Sequence, residues 1–146
     1  FKSQELDEPV DFMIYMIVAA LGFAAVENIL YLFSPTDTSS LDIFLQTTLT
    51  ISFVRFIGAT FLHTLCSGLV GYFIALSCLF TQKIKSEVVL VGIFLAALLH
   101  GFYNFSIISL HGQLSYIVPM MIVAVLAIGM IFAFRHVKNM KSMCKL

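Results

Sequence analysis

"FMIYMIVAALGFAAVENILYLF" runs from Phe12 to Phe33, and only Glu27 and Asn28 interrupt its apolar character. As a helix, 22 residues rise about 33 Å, enough to cross a hydrocarbon core of about 30 Å. A helix on the surface of a soluble protein would need a polar face, and this one has none. It reads as a membrane span. The rest of the chain agrees, with 60% hydrophobic and 11% charged residues among 146 and a mean hydropathy of +1.02. Soluble domains usually carry about 25% charged residues.

Beyond that stretch the apolar runs are about Arg55–Phe80, Val88–Leu110 and Tyr116–Phe134. The segment Asp42–Phe80 is too long for one span, since it would rise roughly 58 Å. Asp42–Phe53 is therefore expected to be an interfacial or tilted lead-in, and Arg55–Phe80 the second span. The expected fold is an all-α membrane protein, a bundle of about four transmembrane helices plus the lead-in. Phe1–Asp11 has no signal-peptide pattern, and residues 1–146 read as one domain, the C-terminal part of a larger bundle. "DEPVD" (Asp7–Asp11) reads as the start of the first helix, with proline and acids in the first turn.

Charge orients the spans. "SPTDTSSLD" (Ser34–Asp42) and "HGQLS" (His111–Ser115) carry no Lys or Arg, whereas "TQKIKSE" (Thr81–Glu87) carries Lys83 and Lys85. The tail "RHVKNMKSMCKL" (Arg135–Leu146) carries four basic residues besides His136. Cytoplasmic loops are enriched in such cations, which puts the Lys83 loop and both chain ends inside the cell. Arg55 alone lies near the outer side. A formal net charge of zero gives no basic footprint for nucleic acid, so the partners expected are lipid and membrane proteins. Cys66, Cys78 and Cys144 have no metal-type spacing and predict no disulfide framework; Cys66 and Cys78 read as small packing residues. His111 and His136 are expected at headgroups or in solvent.

Ionisable groups inside a bilayer cost at least about 2.5–3.5 kcal/mol and face partners or cavities. Counting at 1.5 Å per residue, Glu27, His63 and His100 fall roughly 24, 18 and 20 Å above the inner side. Three helices thus put polar groups in one slab, slightly outside the midplane. The fourfold spacing places Ala59, His63, Ser67, Gly71 and Ala75 on one face, and Gly92, Ala96, His100 and Asn104 on another. Small residues mark faces where membrane helices pack closely. Three readings fit. Glu27, His63 and His100 could ligate a divalent metal such as zinc, leaving a position for water. Without metal, the carboxylate could activate water while His and Asn donate to an oxyanion. A buried network that only fastens the helices is the third.

"ELDEPVDFMIYMIVAALGFAAVENILYL" (Glu5–Leu32), with Arg55 eight residues before His63, "HTLCSGLVGY" (His63–Tyr72) and "HGFYNF" (His100–Phe105), resembles the PrsW family of intramembrane proteases. That family is similar to the CAAX-protease and bacteriocin-processing membrane enzymes. Phe23 and Glu27 match its FxxxE motif, His63 its lone histidine, and His100 with Asn104 its HxxxN/D motif. The resemblance implies an intramembrane endopeptidase that cuts a membrane-anchored protein, such as an anti-sigma factor, on the outer side. Glu27, His63, His100 and Asn104 would be catalytic, with Phe23 and Arg55 supporting. It leaves the mechanism open between a glutamic and a metal-dependent type. Two features depart from the family pattern: no EExxK pair precedes DEPVD, and Phe12 and Met16 stand where glycines are favoured. The first implies that Phe1–Leu146 alone is catalytically incomplete. The alternative function is a non-enzymatic scaffold, similar to the Aph subunit of γ-secretase.

Overall fold

The computed structural model describes residues 8–32 and 40–140, apart from the side chains of residues 32, 43, 47 and 50–55. Arg55, expected to support the site, therefore has its side chain outside the described residues. Four helices follow one another: α1 (Pro9–Leu32), α2 (Leu41–Ser77), α3 (Gln82–Ser109) and α4 (Leu114–Asn139). All four contain a stretch long and apolar enough to cross a membrane. No strand occurs among the described residues. The chain is a multi-pass helical membrane protein.

The start of α1 follows from "DEPVD". The Asp11 carboxylate accepts the backbone N–H of Glu8 at 3.0 Å, the backward half of a capping box. Pro9 enters the first turn, where its missing N–H leaves nothing unpaired. The expected lead-in is not a separate element. Leu41–Ser77 is one helix of 37 residues, with its membrane-spanning part over Phe56–Ser77. Between α3 and α4 the chain turns at Gly112, whose φ of 67° is a left-handed conformation that glycine adopts freely.

Helix α2 is the centre of the bundle. It packs against α1 on one side and α3 on the other, and α4 closes the back by touching all three. Among the described residues, the backbones of α1 and α3 do not pack against each other. The small residues sit where the sequence places them. A methyl group on Gly71 would lie 2.6 Å from the Met13 Cα, and one on Gly92 would lie 2.4 Å from the Phe73 Cβ. So Gly71 lets the backbones of α1 and α2 meet, at the level where Phe12 thickens α1. Met13, Leu65, Ala75, Met130, Ala133 and Val137 form the inner core cluster. Leu62, Cys66, Ala96 and Tyr103 form a second cluster, between α2 and α3.

Cys66 is a free, buried thiol in the second cluster, as a small packing residue should be. His136 is exposed, as expected, and its Nδ1 lies 2.9 Å from the Tyr72 hydroxyl, which ties α4 to α2.

Candidate functional site

Glu27 stands on α1 five residues before its C-terminal end, His63 on α2 seven residues after Phe56, and His100 on α3 nine before Ser109. These offsets correspond to depths of about 8, 11 and 14 Å. The side chains meet at that level. The Glu27 Oε2 lies 2.8 Å from the His63 Nε2, with the two side chains 29% and 12% exposed. The His63 and His100 rings lie 4.8 Å apart, tilted by 42°. Phe23, one turn before Glu27, sets its ring edge-on to His63 at 5.3 Å.

His100 is oriented from its own helix. The Asn104 amide nitrogen lies 3.3 Å from the His100 Nδ1. With the amide donating, Nδ1 is the acceptor, and a neutral ring then carries its proton on Nε2. The pair is what the fourfold helical spacing permits. Asn104 was expected to face another helix, yet it is exposed. The gap between α1 and α3 leaves it uncovered.

These groups line one cavity of about 300 Å³, with Glu27 and Tyr31 on the α1 wall and His100, Tyr103 and Asn104 on the α3 wall. His63 is on its floor, supplied by α2. Tyr103 is a lining residue that the sequence reading passed over. Its spacing of three from His100 puts it near the same face, but a tyrosine in an apolar helix gives no alarm. Asn28 points away from Glu27, and its amide donates to the Thr60 hydroxyl of α2 at 3.0 Å. Its pairing with a neighbouring helix is the role the helical rotation of about 100° from Glu27 predicts.

A carboxylate with two imidazoles is a set that zinc accepts, at about 2.0–2.2 Å from each ligand atom. The side chains as arranged do not make such a centre. Among the described residues no three His, Cys, Asp or Glu groups converge to hold an ion. His63 turns its Nε2 to Glu27, and His100 turns its Nδ1 to Asn104. The arrangement offers a carboxylate–imidazole pair facing hydrogen-bonding groups across a partly enclosed cavity. That is suited to moving a proton from water.

The model of a family described as PrsW family intramembrane metalloprotease matches residues 1–131. Protease PrsW of Bacillus subtilis is 27% identical over 122 residues, covering 84% of this chain and 50% of the relative. Protease PrsW of Oceanobacillus iheyensis is 30% identical over 105 residues, covering 72% of this chain and 43% of the relative. For Protease PrsW of Clostridioides difficile the identity is 28% over 105 residues, with coverages of 71% and 41%. The chain thus spans half or less of the length of these relatives. No solved structure matches it.

Proposed function

The chain belongs to the PrsW family of intramembrane proteases, and from that membership we propose that its Glu27–His63 pair activates water to hydrolyse a peptide bond of a membrane-anchored protein. The contact of 2.8 Å between these side chains carries the reading. In the reaction, His63 donates to one oxygen of Glu27 and fixes the carboxylate. The other oxygen takes a proton from water as the water oxygen attacks the carbonyl carbon. Negative charge then gathers on the carbonyl oxygen, and the Nε2–H of His100 donates to it. Asn104 keeps that proton on Nε2. Glu27 returns its proton to the leaving amine, which restores the carboxylate.

A depth of about 8–14 Å is not far from the outer surface, and a cut there suits an anti-sigma factor or another single-span protein cleaved on its outer side. In the full-length parent, cleavage of such a protein should fall by about 10²–10⁴-fold in Glu27→Gln and in His63→Ala, with membrane insertion unchanged. Retained cleavage in Glu27→Gln would make the carboxylate structural, whereas a wild-type parent that cuts no such protein would favour a non-enzymatic scaffold like the Aph subunit. Chelation separates the remaining mechanisms: a glutamate-and-water enzyme keeps its activity, and a zinc enzyme loses it.

Orientation is part of the same proposal. Lys83, Lys85, Arg135 and Lys138 all lie at one side in the four-span arrangement, which assigns that side to the cytoplasm.

A further inference from the structure

Beside the Glu27–His63 pair a second polar contact joins the same two helices. Asn28 follows Glu27 on α1, and Thr60 lies one turn before His63 on α2. Their hydrogen bond, 3.0 Å long, is the next rung of one short ladder. The other end of the Asn28 amide, its Oδ1, is buried without a hydrogen-bond partner. A stranded acceptor in apolar surroundings is destabilising, whereas replacing a buried polar pair by apolar groups of similar shape is often neutral or better. For adhesion between helices alone, asparagine is thus a poor choice. What its amide adds over a leucine is direction.

Glu27 needs direction. Val26, Ile29 and Leu30 around it are more than half exposed, and among the described residues the backbones of α1 and α3 are not packed together. Backbone packing against the third wall of the cavity therefore does not set the rotation of α1. On a helix about 11 Å across, a turn of about 20° carries a side-chain tip roughly 2 Å. That displacement is enough to break a contact of 2.8 Å.

We propose that Asn28 and Thr60 form a clamp that sets the rotation of α1 on α2, and that both are positioning residues for Glu27. The proposal rests on reading Glu27 and His63 as the water-activating pair. Neither clamp residue touches the reacting atoms.

The test uses the full-length parent in lipid nanodiscs, with ring-labelled ¹⁵N-histidine. The His63 ring N–H signal is assigned by its loss in His63→Gln, and its bond to the carboxylate by its change in Glu27→Ala. Asn28→Leu and Thr60→Val should each lose the bonded signal, while in the double variant Asn28→Leu/Thr60→Val, which strands neither partner, Tm holds or rises. Thr60→Ser, which keeps the hydroxyl, should retain it. Cleavage of a single-span membrane reporter should fall by about 10²-fold in the first two variants, the scale expected for an ångström-sized misplacement, and stay near wild type in Thr60→Ser. A bonded His63 signal that survives Asn28→Leu overturns the clamp. So does a drop in Tm in the double variant, which would make the contact a mere fastener. A wild type lacking the bonded signal removes the pair and the clamp together. If the signals behave as stated but the wild-type parent cuts nothing, the clamp stands and the protease reading fails.

Discussion

Among the described residues Asn104 bonds to His100 and to nothing across the cavity, so its effect on chemistry passes through His100. In Asn104→Ala the ring loses the donor that holds Nδ1 as an acceptor, and its proton is free to sit on either nitrogen. Cleavage by the full-length parent should then drop by about 10²–10³-fold, as when one oxyanion donor is removed. Asn104→Asp should do far less harm. An aspartate accepts from Nδ1–H, and a ring carrying both protons still donates from Nε2. Comparable loss in both variants would show that the amide acts in some other way. The polar set itself was legible in the sequence, because Glu27, His63, His100 and Asn104 are expensive inside a bilayer and fall at one depth. Thr60 and Tyr103 were not. Threonine and tyrosine occur in membrane helices without special cause, so only coordinates reveal that one meets Asn28 and the other lines the cavity.

Helix α2 carries the largest difference between expectation and fold. The run Asp42–Phe53 holds Asp42, Gln46 and three threonines, a composition that reads as an interfacial piece. Yet no proline or glycine interrupts Leu41–Ile57, so nothing prevents the backbone hydrogen bonds from running on into the span. Polarity told where the membrane ends, not where the helix ends. The faces of α2 were easier to read, since small residues at fourfold spacing are a packing signal. Gly71 makes that testable. Any side chain there meets Met13 and the Phe12 carbonyl, both backbone, and backbone cannot move aside as a rotamer can. Gly71→Leu should destabilise the bundle by about 1–3 kcal/mol or more, seen as a lower Tm. At Gly101, where a new methyl meets nothing within 4 Å, Gly101→Ala should leave Tm unchanged or raise it. Equal effects at the two glycines would contradict the packing described for α1 and α2.

The whole bundle is closed behind α2 and open in front of it, because α4 covers one side while α1 and α3 stay apart on the other. Its orientation is checked by single-cysteine labelling in a cysteine-free parent. A membrane-impermeant reagent applied outside should modify Gln113→Cys and spare Lys83→Cys; the reverse would invert the topology. The open front also bears on completeness. Among the described residues only Glu27 brings a carboxylate to the cavity, so Phe1–Leu146 alone should insert as helices but fail to cut a membrane-anchored reporter, and adding the upstream part of the parent should restore cutting. Efficient cleavage by the purified chain would show that the four polar residues suffice. The sequence could not reveal the gap, since every span is apolar on all sides and composition does not say which sides stay uncovered. For a protease reached through that gap, the substrate arrives by diffusing within the sheet of lipid. Its effective concentration is then molecules per area of bilayer. Adding lipid at constant amounts of enzyme and substrate would slow the reaction, whereas concentrating the same vesicles in a smaller volume of water would leave it unchanged.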